Sequence, residues 1–288
     1  MRVGYPVIVA PALIALALSC AAALPARAGT RNDADSEKLG LKLSLQCYTY
    51  RQLTFFETVD KAAELGIKYL EIYPGQKLKP GSKLTVVSSM SDEVLQEIKK
   101  KLADAGGLKV VAYGVAAVPT DEPGLRKTFD WAKKMGIEVL VTETTPIALH
   151  DKFCTEYNIR MALHNHPKSW PPEKVLAACK DRCKLIGSCS DTGHWMRANR
   201  VPVDMLKMLQ GRVMHLHFKD LDQFGAKGQD VPWGTGKGDP KGMMQELKRQ
   251  GFQGYLSIEY EHGTVPELMV NLAKCVEFFD KTAGELAR

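Results

Sequence analysis

Ile159-Arg-Met-Ala-Leu-His164 and Leu185-Ile-Gly-Ser-Cys-Ser-Asp191 flank a helical stretch over residues 171–180. Each flank is short, apolar at its centre and ends on a metal-binding residue type, so the unit reads strand–helix–strand. Two further strands end the same way, Val213-Met-His-Leu-His217 and Tyr255-Leu-Ser-Ile-Glu259. The spacings from His164 to Asp191 to His217 to Glu259 are 27, 26 and 42 residues. One strand, one helix and two turns take roughly 25–30 residues, so consecutive βα units would bring these groups to one end of one barrel.

The rest of the chain continues the pattern. Alternating or continuous apolar runs predict strands at 41–48, 67–73, 108–114 and 137–142, before those at 159–164, 185–190, 213–217 and 254–259. Helical periodicity predicts helices at 55–65, 91–105, 121–135, 147–157, 171–180, 200–210, 240–250 and 265–282. Gly66, Gly136 and Gly251 follow helices and precede strands, marking αβ turns. Eight βα units predict a single-domain (β/α)8 TIM barrel over residues 41–284. An open doubly wound sheet is weaker, because no G-x-G-x-x-G follows the first strand.

Composition is that of a globular chain: 288 residues, 45% hydrophobic, 25% charged. Residues 1–28 stand apart. Arg2 is the only charge before Arg27, Val7 to Leu24 is apolar or small, and Ala26-Arg27-Ala28 fits a cleavage site. A secretory signal peptide, and hence export to a periplasm, is the expectation. A membrane anchor fits less well, given the single positive flank and the cleavage site. Cys20 offers a second reading, a lipoprotein anchor. Residues 29–40 are polar and read as a flexible leader. No later run spans a bilayer. Removing residues 1–28 leaves a net charge of +4 with both signs scattered, which argues against nucleic acid as a partner. Six cysteines remain, Cys47, Cys154, Cys179, Cys183, Cys189 and Cys275; export permits bridges, but a domain of this size does not need them. A homo-oligomer is allowed by the sequence.

In such barrels chemistry sits where strands end. Those positions hold Glu71, Tyr113, Glu143, His164, Asp191, His217 and Glu259. Ionised groups at the rim of an apolar core need partners or a metal. His164, Asp191, His217 and Glu259 are the expected ligands of a divalent ion (Mn, Co, Mg or Zn), a mixed N/O set. His217 is preferred to His215 because it lies nearer the strand end, and Glu261 competes with Glu259. Glu259, Glu143 and His194 are the expected proton-transfer groups. Glu71, His166, Lys219 and Trp233 are the expected substrate contacts. Lys219 could stabilise an oxyanion or pair with Asp220. Asp191 could also serve as a cap or Asx turn. The run Trp233-Gly-Thr-Gly-Lys-Gly-Asp239-Pro240 reads as a lid, a hydroxyl contact or a plain turn, and only weakly as a phosphate cradle.

With those motifs in hand (Tyr-Leu-Glu71-Ile, Ala-Leu-His164-Asn-His166-Pro, Ser-Asp191-Thr-Gly-His194, His215-Leu-His217-Phe-Lys-Asp, Leu-Ser-Ile-Glu259), the chain resembles the xylose isomerase-like TIM barrels. That group includes sugar isomerases and epimerases, inosose dehydratases and endonuclease IV. In its ketose 3-epimerase branch a Glu, an Asp, a His and a Glu hold manganese or a similar ion. Asp191, His217 and Glu259 match the last three, and His164 stands where the first Glu would be. The resemblance implies a metal-dependent sugar isomerase or epimerase. Such an enzyme removes a proton beside a carbonyl through a metal-stabilised enediolate. His164 departs from the two-glutamate proton exchange of those epimerases. Two alternatives follow: a keto-sugar or glycoside lyase or hydratase on the same site, and a periplasmic sugar-binding barrel without turnover. A nuclease of the endonuclease IV type would need more metal ligands and a basic surface.

Overall fold

A computed structural model describes Met1 and residues 31–288. The expected signal peptide, Met1 aside, and Cys20 lie outside the described residues. Eight parallel strands close into a barrel: β1 (Leu41–Gln46), β2 (Tyr69–Ile72), β3 (Lys109–Tyr113), β4 (Val139–Thr142), β5 (Arg160–His164), β6 (Ile186–Asp191), β7 (Val213–Phe218) and β10 (Gly254–Ile258). Each strand pairs with its neighbour in chain order, and β1 closes the ring on β10 with Leu41 opposite Gly254. The strands are buried almost throughout, as a parallel sheet covered by helices requires.

The helices fall where periodicity places them: α2 (Phe55–Glu64), α3 (Asp92–Asp104), α4 (Glu122–Met135), α5 (Ala148–Tyr157), α6 (Pro172–Cys179), α8 (Pro202–Met208), α9 (Pro240–Arg249) and α10 (Val265–Leu286). Local chemistry sets their ends. Thr54 and Glu57 form a reciprocal capping box on α2. Asp121 accepts from Gly124 N–H to start α4, and Gly136, at φ 81°, stops it in the left-handed conformation that an L side chain disfavours.

The flexible-leader expectation for residues 29–40 is corrected over its described part. Ala34–Leu39 form a helix, α1, that packs against α10. The Arg31 guanidinium pairs with Asp33 and Asp280, each at 2.8 Å, and lies 5.4 Å from the centroid of the Phe279 ring. Leu39, at the end of this helix, is buried. The polarity that suggested disorder is spent on contacts to a helix about 250 residues away. A local reading cannot find such partners.

All six described cysteines are free thiols. No described helix is long and apolar enough to cross a membrane.

Candidate metal centre

The C-terminal ends of β5, β6, β7 and β10 converge. His164, Asp191, His217 and Glu259 each present one ligand atom, and these four atoms lie within 4.8 Å of one another. His164 Nε2 stands 3.6 Å from Asp191 Oδ2. His217 Nδ1 stands 3.9 Å from Asp191 Oδ2 and 3.2 Å from Glu259 Oε2. Both ring nitrogens of His164, Asp191 Oδ2 and His217 Nδ1 are buried without a hydrogen-bond partner. Buried polar atoms left unpaired cost about 1–3 kcal/mol each, so the three that face one another, His164 Nε2, Asp191 Oδ2 and His217 Nδ1, call for a shared ligand. Two imidazoles and two carboxylates suit a divalent cation.

Asp191 caps a helix with one oxygen and turns the other to the cluster. Oδ1 accepts from the His194 N–H at 2.7 Å and caps the short helix α7 (Thr192–Arg197), while Oδ2 faces the cluster. Short-range cross-links hold the strand ends. The Asn165 side chain donates to the Asp191 carbonyl at 3.0 Å and accepts from its N–H at 2.9 Å. The Thr192 hydroxyl donates to the Lys219 carbonyl at 2.8 Å and accepts the Lys219 N–H at 2.7 Å. Neither residue stood out in the sequence. The position of Asn165 inside His-Asn-His was the available signal for the first.

His217 rather than His215 enters the four-residue cluster. A register shift between Ser188 and Cys189 sets His215 opposite Cys189 and His217 opposite Asp191. His215 turns into the barrel, where its Nε2 meets Ser257 Oγ at 3.0 Å and Glu71 Oε2 at 2.6 Å.

Three expected substrate contacts lie elsewhere. Glu71 is fully buried in the barrel; its other oxygen accepts from His217 Nε2 at 2.9 Å. A proton held on Nε2 leaves the Nδ1 lone pair directed at the cluster, the carboxylate–histidine arrangement that orients metal ligands. Burial opposes ionisation of Glu71, yet the His217 and His215 imidazoles bring its carboxyl down to about 2. Trp233 is buried edge-on against Phe218, ring centroids 4.7 Å apart, and does not line the cavity. Lys219 is also buried and pairs away from Asp220. Its Nζ lies 2.7 Å from Glu259 Oε2, 2.7 Å from Glu261 Oε2 and 3.1 Å from Asp191 Oδ2. The last contact is ionic without hydrogen-bond alignment.

Asp220 faces the opposite way and explains the glycine-rich loop. Its carboxylate accepts from Gly234 and Gly236 N–H at 2.9 Å and from Gly238 N–H at 2.8 Å. The cradle that resembled a phosphate site is filled by the chain's own carboxylate. A Cβ on Gly236 would come within 2.3 Å of the Leu221 carbonyl, so this close wrap requires glycine.

A cavity of about 350 Å³ opens above the cluster, within the range of small-molecule sites. Gln46, Tyr48, Tyr73, His164, His166, His194, Glu259 and Glu261 line it. Tyr48 and Tyr73 meet edge to face at 5.2 Å. Glu143 stands half-exposed just beyond β4, and its Oε1 contacts His166 Nδ1 directly. The His164 and His166 imidazoles bring its carboxyl down to about 2. Burial would raise the Glu259 carboxyl, but Lys219 and His217 hold it well below the usual range. Burial pushes His194 down to about 3, with Lys219 and His164 acting in the same direction against Asp191. The His194 ring is therefore expected to stay neutral in metal-free protein. Its NMR resonances should be flat between about pH 5 and 8; a midpoint in that window contradicts the placement.

Fold and site together define a (β/α)8 barrel with a His/Asp/His/Glu cluster at the C-terminal end of its strands. The profile of the Xylose isomerase-like TIM barrel family matches residues 123–281, and the chain belongs to that family. An uncharacterized protein from Parabacteroides distasonis is 32% identical, over 84% of this chain and 99% of that one, at a TM-score of 0.67. A D-tagatose 3-epimerase-like protein shares the fold at 18% identity (85% and 98% covered, TM-score 0.63). So does a probable 3-DHS dehydratase of petrobactin synthesis from Bacillus anthracis, at 15% identity (83% and 98% covered, TM-score 0.59). No curated protein matches the chain.

Proposed function

We propose that the protein is a divalent-metal-dependent enzyme of the sugar isomerase and epimerase type. The observation that carries this reading is the cage of unpaired, buried ligand atoms on His164, Asp191 and His217, with Glu259 beside it, at the floor of a sugar-sized cavity. A divalent cation held by those four residues would supply Lewis-acid charge to polarise a carbonyl and acidify the neighbouring C–H. His164 Nε2, Asp191 Oδ2, His217 Nδ1 and Glu259 Oε2 are the atoms that would hold it. Tyr48 and Tyr73 offer apolar ring faces to a sugar, and Gln46 an amide to its hydroxyls.

On this reading the proton-transfer roles differ from those expected of Glu259, Glu143 and His194. Glu259, held ionised by Lys219 at 2.7 Å, is a weak proton acceptor and fits the role of ligand. The base is His166, with Glu143 on its Nδ1 setting the tautomer, as a carboxylate does in a His–carboxylate pair. His194, neutral and 4.8 Å from His166 ring to ring, is placed to bind a hydroxyl. One such pair on one side of the cavity favours delivery of the abstracted proton to the neighbouring, former carbonyl carbon on the face from which it left, which leaves the carbonyl on the first carbon and is isomerisation. The same pair also serves β-elimination, and this single-sidedness supports a lyase or dehydratase as the second reading.

The test is a screen of ketoses, aldoses and oxidised glycosides in deuterated buffer with Mn²⁺, Co²⁺ or Mg²⁺, read by mass spectrometry. Product carrying one solvent deuterium, lost on adding EDTA, is expected. An unsaturated product would select elimination. Sugar binding that neither exchanges a proton nor responds to EDTA would contradict enzymatic turnover and favour a sugar-binding barrel.

A further inference from the structure

Lys219 is the least expected component of the centre. Its stem and ammonium are completely buried, beside two of the four ligand side chains. A buried ammonium needs compensating charge, and here it draws that charge from Asp191, Glu259 and Glu261. Glu261 is in turn 3.4 Å from the Arg197 guanidinium, so it is shared rather than devoted to Lys219. The lysine is absent from the cavity wall, which removes it from direct contact with substrate.

We propose that Lys219 is a built-in counter-cation: it holds the Asp191 and Glu259 carboxylates together when no metal is bound and keeps divalent-metal affinity low, so that the metal exchanges readily. The inference rests on the metal reading above. The argument is Coulombic. Metal–carboxylate bonds run at about 2.0–2.2 Å. An ion bound to Glu259 Oε2 therefore lies within about 5 Å of Nζ, which is 2.7 Å from that oxygen. Repulsion between a divalent and a univalent cation at about 5 Å amounts to a factor of ten or more in affinity even with the screening of bulk water. Because the carboxylates are shared between ammonium and metal, Lys219 acts as a positioning residue whose removal should tighten binding. A residue with a merely structural role would not do that.

The experiment is a Mn²⁺ titration of the EDTA-treated full chain, following free Mn²⁺ by electron paramagnetic resonance, on wild type, Lys219→Met and Lys219→Arg. Lys219→Met is expected to bind at least tenfold more tightly than wild type, and Lys219→Arg, which keeps the charge, within about threefold of it. The metal-free Lys219→Met protein should melt lower than wild type and gain more in Tm from saturating Mn²⁺. Equal or weaker binding by a folded Lys219→Met overturns the proposal. Should that variant fold only with Mn²⁺ present, the proposal is supported; failure to fold even then overturns it. Binding by Lys219→Met with none by wild type also supports it. Wild-type binding that Lys219→Met does not improve defeats this inference alone, whereas binding by neither protein defeats the metal reading with it.

Discussion

His164→Ala is expected to lower divalent-metal affinity about a hundredfold or more while the barrel stays folded. The lost imidazole carries two ring nitrogens with no other partner, so no hydrogen-bond network collapses with it. Structural four-ligand zinc sites bind with about 10–16 kcal/mol, so by that scale one ligand in four carries about 3 kcal/mol, which is a hundredfold, whatever the site's absolute affinity. Glu259→Ala should lose at least a similar factor, because the ligand is removed while the Lys219 ammonium stays and depends more on Asp191. Metal content after dialysis, with circular dichroism as the folding control, reads both. Full retention of metal by both variants would remove these residues from the centre.

The second large effect concerns stability. Asp220→Ala should destabilise the protein by about 3–5 kcal/mol, because backbone N–H groups of three glycines lose their acceptor in one step. The carboxylate is 1% exposed, so water cannot replace it without opening the loop. Burial raises this carboxyl above its ordinary range, although Gly238, Gly236 and Gly234 N–H groups counter that. Asp220→Asn retains one acceptor oxygen and should recover part of the loss. Urea melts monitored by tryptophan fluorescence measure both variants; a shift below about 1 kcal/mol for Asp220→Ala would contradict the filled-cradle account.

The barrel was legible because each strand is an apolar run bounded by turn residues and each helix carries a 3.6-residue period over two turns or more. Elements too short for periodicity were not: α7 at six residues, and the hairpin of β8 (Asp220–Leu221) with β9 (Asp230–Val231). The four cluster residues were legible for a related reason. A strand end in a barrel has few directions to point, so residue type and spacing suffice. What eluded the sequence depended on partners far along the chain. Glu71 sits at a strand end like the others, but its carboxylate is captured by imidazoles more than 140 residues on. Lys219 and Asp220 are adjacent and of opposite charge, which suggested a surface pair. The strand continues past His217, so the two side chains point to opposite sides, one into the acid cluster and one into the glycine loop. Alternating glycines at 234, 236 and 238 were the readable trace of that loop, since a turning backbone wrapped this closely around the Asp220 carboxylate leaves Gly236 no room for a Cβ.

Anomalous diffraction from crystals soaked in Mn²⁺ tests the central claim most directly. The account predicts one strong peak per chain, within about 2.0–2.3 Å of His164 Nε2, Asp191 Oδ2, His217 Nδ1 and Glu259 Oε2. A peak seated instead among Glu143, His164 and His166 at the cavity rim, or no peak in the barrel at all, would contradict it.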